Sequence, residues 1–382
     1  MQTAVPRAVE DCLNDLFKLF GIERAHVAAA GQPTLMDWYG LATRYSERIA
    51  TLTVLSPPIV DPGGLEGVAP RLLAIAGDTG PSAQGGTKLK QDLPDAELHV
   101  LRGYECFAWS DLMADRGAEI GHALQAFCDR QAVPGINLPE GEGEVAGISY
   151  RIRGCGPPLV LLPLALAPSQ WKPLLPELAE RYCTISLSGP LLGVVGLLEA
   201  RGRPRSTYLG LVRTLLDLAE IRPGEVILEV GGGSGVVLRE IAHRTVGANR
   251  IIDVDINPYL LREAAALARQ HGLAGQISFR EGSAEAIPLA DNSVDIVLSL
   301  TVMEEGDADK MLAELIRVAR PGGRIAAAVR SRDIPCWTSA PLRPTLRAKV
   351  DQAGLINAGV SAKGCADATL YQRFLAAGLK EV

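Results

Sequence analysis

Within VILEVGGGSG, residues 226–235, four glycines fill five positions just behind the carboxylate of Glu229. Glycines at that density let a ligand lie against bare backbone, and their spacing decides which ligand. A dinucleotide fingerprint needs GxGxxG, but Gly231 and Gly233 are followed by Val236 where the third glycine belongs. A phosphate-cradling P-loop needs GxxxxGK[ST], and no lysine follows. What remains is ExGxGxG, made of Glu229, Gly231, Gly233 and Gly235. A carboxylate at a strand end suits a ligand carrying a positive amino group rather than a pyrophosphate. Asp255, closing the apolar stretch RIIDVD (250–255), is placed to accept both hydroxyls of a ribose.

The elements that must hold these residues alternate from residue 205 onward. EVILEV (225–230) reads as a buried parallel strand, and GVVLREIAHRTV starts a helix straight after the glycines. RIIDVD is a second strand, and PYLLREAAALARQHG a second helix stopping at Gly272. QISFREG, SVDIVLSL and GGRIAAAVR supply three more strands. The helix before the last carries Met311, Leu312, Leu315, Ile316 and Ala319 on one face and stops at RPGG. Alternating strands and helices predict an open parallel sheet that binds its ligand at the carboxyl edge.

In this region, about 205–380, the chain resembles the class I S-adenosylmethionine-dependent methyltransferases. The resemblance rests on the glycine loop, the acid ending the second strand, and EGSAEAIPLADNSVDIVLS, which is similar to the family's GDAExLPFxDxSFDVVxS. It implies S-adenosylmethionine as cofactor. The methionyl part would lie on Glu229, Gly231, Gly233 and Gly235, the ribose on Asp255, and the adenine beside Ile256, between Ser283 and Ala284. Asp295 to Ser299 would form the fourth strand beneath it. Ser283 departs from the family's aspartate, which meets the adenine amine. TVMEEG (301–306) follows the fourth strand, where the family places acceptor-contacting residues, so Glu304 or Glu305 is the candidate base or acceptor-orienting group. Cys336 and Trp337 are candidates to line an acceptor pocket. The family's sheet finishes with two further strands after the helix read in ATLYQRFLAAG, whereas this chain stops at LKEV. Its last strands are therefore expected to be missing, or supplied by another part of the chain or by a partner. A homo-oligomer is one way to cover such an edge.

The first half resembles an α/β-hydrolase. Residues 9–57 read helix, strand, sharp turn, helix, strand. The family's nucleophile elbow GxSxG falls on AAGQP, with Ala29, Gly31 and Pro33 at the signature places and glycine where the nucleophile belongs. Asp78, after RLLAIAG, matches the acid, and Cys106 stands in the place of the histidine. Residues 147–190 resemble the start of the same fold, although they come last. PLAL (163–166) stands at the oxyanion loop, and IVDPGGLEGVAP replaces the lid. Together, 1–190 read as one degenerate hydrolase-like core in circularly permuted order, with PEGEGEVAG (139–147) as an internal connection. Permutation is tolerable because domain termini often lie close together. A linker at 191–207 then leads to a methyltransferase domain at 208–382.

Composition bounds the rest. A chain of 382 residues, 47% hydrophobic and 21% charged, is long enough for two or three domains with ample core. A net charge of −6 argues against a broad nucleic-acid or anionic-membrane footprint. The most apolar run, PPLVLLPLALAP, is about half the roughly 20 residues a membrane span needs. Seven cysteines without a CxxC pair favour free thiols in the cytoplasm over disulfides or a metal site. The expectation is an α/β protein of two doubly wound domains. A hydrolase-like core, inert as a hydrolase, precedes a Rossmann-like S-adenosylmethionine-dependent methyltransferase that acts on a small molecule. The rival readings are a non-catalytic cofactor-binding scaffold and a hydrolase with a relocated triad.

Overall fold

Side chains alternate across a pleated strand, and in the first half of the chain both faces are apolar. In β1 (Ala25–Ala30), Val27 and Ala29 enter one hydrophobic cluster, and Ala28 and Ala30 enter another. In β2 (Ile49–Leu55), Leu52 and Val54 join the first cluster and Leu55 the second. Strands covered on both faces are the mark of a parallel sheet sandwiched by helices. The computed structural model describes residues 8–31, 37–57, 62–106, 110–189, 191–202, 206–331, 342–347 and 363–382. They fall into two units, Met1–Ala200 and Arg201–Val382.

The first unit adds β3 (Leu72–Thr79), β4 (Glu97–Glu105), β5 (Gly141–Val145), β6 (Ile148–Arg153), β7 (Pro158–Leu161) and β8 (Cys183–Ser188). All eight strands form one sheet in the order β4-β3-β2-β1-β7-β8-β6-β5. β6 runs antiparallel to β8 and β5, and the other pairs are parallel. On one face lie α1 (Val9–Leu19), α2 (Asp37–Arg44) and α3 (Gly80–Asp92), through Leu13, Leu16, Phe17, Trp38, Leu41, Leu89 and Leu93. On the other lie α4 (Leu112–Cys128) and α5 (Leu175–Ala179), through Ile120, Leu124, Leu175 and Leu178. α6 (Gly193–Arg201) occupies part of the expected linker, while 203–205 lie outside the described residues.

Two expectations change here. Gly141–Val145 is a strand and not a connection. It pairs with β6 through Ala146 and Gly147, whose φ values of 52° and 82° match the turn that closes a tight hairpin. The last strand of the second unit also begins before its glycines. In the ladder Ala319 pairs with Val294 and Arg324 with Ile296, so residues 320–323 bulge outward.

In the second unit, α7 (Thr207–Leu218) precedes β9 (Val226–Val230), α8 (Val236–Thr245), β10 (Arg250–Asp255), α9 (Pro258–Gln270), β11 (Ile277–Glu281), β12 (Val294–Leu300), α10 (Ala308–Val318) and β13 (Ala319–Ala328). The sheet order is β11-β10-β9-β12-β13, with every pair parallel. The strand order reverses between β9 and β12, and at such a switch point the carboxyl ends of the strands leave a crevice. Among the described residues no helix is long and apolar enough to cross a membrane.

Candidate functional site

The site forms where the apolar face of two neighbouring strands turns acidic. On β9, Ile227 packs in the core beneath α8, and two residues on the same face carries Glu229. On β10, Ile251 occupies that same cluster, and the same face then carries Asp253 and Asp255. Asp253 lies opposite Glu229 in the ladder. Their exposures are 2% for Glu229, 0% for Asp253 and 7% for Asp255, so three carboxylates sit almost wholly out of water.

The glycine loop wraps these acids. Gly231, Gly233 and Gly235 have φ values of 77°, 59° and 82°, in the left-handed region where a side chain is strained. Gly231 also faces Val302, whose Cγ2 would lie 2.2 Å from any Cβ placed there. The backbone N–H of Gly231 donates to Val254 O at 2.7 Å, that of Gly232 to Asp253 Oδ1 at 3.2 Å, and that of Gly233 to Asp255 Oδ2 at 2.9 Å. Asp255 Oδ1 accepts from Asn257 N–H at 2.8 Å. Each Asp255 oxygen thus holds one backbone donor and keeps a lone pair for a ligand hydroxyl.

Burial pushes the Glu229 carboxyl well above its usual range, reinforced by the negative charges of Asp253 and Asp255. Asp253 is raised the same way, by burial and then by Asp255, and Asp255 is raised by burial against the pull of its two backbone donors. The positive charge opposing Glu229 is Arg239, 7% exposed on α8, whose guanidinium also donates to Ser234 O at 2.7 Å. Glu229 Oε2 and Asp253 Oδ2 are buried with no hydrogen-bond partner among the described residues. Buried carboxylate oxygens of this kind call for a cationic ligand or for protons. A sulfonium with an α-ammonium group fits that demand, and an added pyrophosphate does not.

Other predicted residues gather around the loop. Ile256 is 64% exposed beside Asp255, an apolar surface open to a flat ring. Ser283 Oγ accepts from Glu285 N–H at 3.1 Å, and Ala284 packs partly buried against the cluster of Leu228, Val230 and Val254. Ser299, 2% exposed on β12, lies opposite Val230. The segment after Ser283 is fastened from α10: Glu314 accepts from Ile287 N–H at 2.7 Å, and Arg317 donates to Ile287 O and Leu289 O at 2.8 and 2.9 Å.

The two glutamates of TVMEEG differ. Glu304 is fully buried, and its Oε1 accepts from the Arg330 backbone N–H at 2.5 Å and from Arg330 Nε at 3.3 Å. It braces the end of β12 to the end of β13. Glu305 is partly exposed, 3.6 Å from Arg330 Nη2. Cys336 and Trp337 lie outside the described residues.

Three residues escaped the sequence reading. Asp253 carried a signal, its period-two spacing from Asp255. Arg239 and Tyr208 carried none, because helix residues reveal their neighbours only in the fold. Tyr208, half-buried on α7, has its phenol pushed up to about 12, chiefly by burial and then by the charge of Glu229, with Arg201 and Arg330 opposing.

In the first unit Cys106 is 2% exposed and its Sγ donates to Ser56 Oγ at 2.8 Å. Burial pushes its thiol up, away from the nucleophilic thiolate. Asp78 accepts from Gly103 and Tyr104 N–H at 2.6 and 3.2 Å, and those donors hold it below the usual carboxylate range. Gly31 has no side chain, and Pro33 lies outside the described residues.

Residues 227–323 match a family described as a methyltransferase domain. The ubiquinone/menaquinone biosynthesis C-methyltransferase of Hydrogenovibrio crunogenus is 32% identical over 114 residues, 30% of this chain and 45% of that protein. The protein of the same name from Klebsiella pneumoniae is 30% identical over 123 residues, 32% of this chain and 49% of that protein. The chain therefore spans about half the length of the curated relatives it matches. A solved S-adenosylmethionine-dependent methyltransferase from Aquifex aeolicus aligns with 44% of this chain and 88% of its own, at 21% identity and a TM-score of 0.33. The region built on the glycine loop is a class I S-adenosylmethionine-dependent methyltransferase domain, and S-adenosylmethionine is its cofactor.

Proposed function

We propose that this chain transfers a methyl group from S-adenosylmethionine to a small-molecule acceptor. The observation that carries this reading is the glycine loop pinned to Asp253 and Asp255 beside the buried Glu229, with an unpartnered oxygen on Glu229 and on Asp253. S-adenosylmethionine supplies a sulfonium-activated methyl group when bound. The protein's own task is then mostly alignment: Glu229 and the loop hold the methionyl end, Asp255 the ribose, and Ile256, Ser283 and Ala284 the ring. Ser299 supports the loop from β12. Glu304 acts by holding Arg330, and Glu305 is the more exposed candidate to orient an acceptor. Support for a small acceptor comes from the net charge of −6 and from relatives named for quinone biosynthesis. The six described cysteines are free thiols, which suits the cytoplasm.

We further propose that residues 1–190 are a hydrolase-like domain without hydrolase chemistry, followed by a linker at 191–207 and the methyltransferase at 208–382. The strand order supports this reading, since the segments that resemble the start of the fold, β6 to β8, extend the same sheet as β1 to β4. Glycine at the nucleophile place and a buried thiol at the histidine place argue for scaffolding or acceptor binding.

Calorimetric titration with S-adenosylmethionine and with S-adenosylhomocysteine tests the site. Micromolar binding of either is expected, followed by a methylated product in an acceptor screen. The burial of Glu304 favours one second reading, a protein that binds the cofactor without turnover. Binding with no product across the screen would establish it. Labelling by a serine-directed fluorophosphonate would instead restore hydrolase chemistry.

A further inference from the structure

We propose that Asp253 is a positioning residue of the cofactor site: it holds the middle of the glycine loop through Gly232 and completes an anionic floor, with Glu229 and Asp255, that prefers a sulfonium ligand to the neutral thioether. This rests on the reading of the loop as the S-adenosylmethionine site.

Four observations place Asp253 in that role. It is fully buried on the same strand face as Asp255 and opposite Glu229. Its Oδ1 accepts the Gly232 N–H, while Asp255 takes the N–H of the next residue, so two acids on one strand face grip consecutive links of the loop. Gly232 lacks the left-handed φ of its neighbours, so its lack of a side chain has another cause. A Cβ there would lie 2.4 Å from Asp253 Oδ1 and 2.8 Å from Cγ. Finally, Asp253 Oδ2 has no partner among the described residues, and Asp255 adds a second negative charge beside it.

The charged groups around Asp253 are few. β9 contributes Glu229 and its own strand contributes Asp255, while Arg239 on α8 acts on Glu229. The paired position on β11 is the apolar Phe279. Three acids thus lie together, and the guanidinium of Arg239 opposes the charge of one of them, Glu229. The two ligands differ by the sulfur-bound methyl group and the positive charge that it confers, and a buried field of this sign favours the charged one. Deprotonation of the floor as pH rises strengthens it, because burial holds these carboxyls above their usual range.

The test compares binding of S-adenosylmethionine and S-adenosylhomocysteine to wild type and Asp253→Asn by calorimetry. Asparagine keeps the acceptor for Gly232 N–H and removes the charge. The expected result is a loss of about tenfold in affinity for the sulfonium ligand, with the thioether changed by less than about twofold. In wild type the preference should rise as pH rises above the ordinary carboxylate range, and the slope should be shallower in the variant. An equal loss for both ligands, or an unchanged preference, overturns the proposal. If wild type binds neither ligand, the cofactor reading itself fails, which is a separate outcome. Should the variant not fold, the wild-type profile decides alone: a preference that stays flat as pH rises overturns the proposal.

Discussion

Gly232 donates its backbone N–H to Asp253 Oδ1 at 3.2 Å, and the place a Cβ would take on Gly232 lies 2.4 Å from that same oxygen. The two residues therefore fit only as a pair. Gly232→Ala is expected to displace the loop and weaken S-adenosylmethionine binding by tenfold or more, about 1.4 kcal/mol. Gly232→Ala combined with Asp253→Gly removes the clash along with the anchor and should recover part of the loss. Calorimetry on both single variants and the double variant gives the coupling; strictly additive losses would mean that the contact does not set the loop.

Asp255 and Gly233 form the second clasp, through the 2.9 Å bond from Gly233 N–H. Asp255→Ala orphans that donor and the Asn257 N–H, and it removes the proposed ribose contact. An expected cost of about 1–3 kcal/mol in stability should accompany a loss of cofactor affinity. Gly233→Val demands a β-branched residue at φ 59° and should also weaken binding. Unchanged affinity in both variants would put the cofactor elsewhere.

How much of this was legible in sequence depended on what kind of force wrote it. The second sheet was readable because VILEV and RIIDVD are largely apolar runs with an acid at or next to the end, and a buried parallel strand reads as a near-continuous apolar run. The loop's spacing was readable because left-handed φ selects glycine one position at a time. Gly232 fell inside the pattern for a reason only its contact with Asp253 reveals. GEGEV passed for a connection because glycine and glutamate are poor strand formers. Its strand is fixed by the positive-φ turn at Ala146 and Gly147. α3, whose sequence GPSAQGGTKLKQD carries three glycines, is a helix that the pattern also hid. At Gly86 a Cβ would lie 2.9 Å from Leu98 Cδ1 and 3.0 Å from Ala76 Cβ, so a glycine lets the helix sit close on β3 and β4.

Glu304 and Glu305, adjacent in sequence, should behave as opposites. Glu304→Ala removes a fully buried acceptor and leaves the Arg330 backbone N–H without its partner, with an expected cost of about 1–3 kcal/mol. Glu305→Ala removes a partly exposed ion pair with Arg330, worth about 0–1 kcal/mol. Denaturant unfolding of each variant separates the cases. Near-normal stability in Glu304→Ala, with methyl transfer abolished, would return that residue to the chemistry.

His26 and Asp37, both in the first unit, are expected to drive stability in opposite directions over the same pH range. His26 is 1% exposed, bonds Thr51 Oγ1 through Nδ1 at 2.8 Å, and is lowered by burial to about 4 from an ordinary 6.5. Its depressed value means its contribution is intact above pH 6.5 and is lost as pH falls toward 4. Asp37 accepts from Gly193 N–H at 2.7 Å and is raised by burial to about 6 from an ordinary 3.8. Its contribution is full below pH 3.8 and is lost as pH rises through 6. Each amounts to at most about 3 kcal/mol, so in the wild type they largely cancel. Asp37→Asn exposes the His26 slope, and stability should fall on acidification from about pH 6.5 to about pH 4. His26→Gln exposes the Asp37 slope, and stability should rise over that interval. Unfolding followed by the fluorescence of Trp38 and Trp171, both buried in this unit, reads the effect. Parallel profiles in the two variants would mean that neither group titrates with folding.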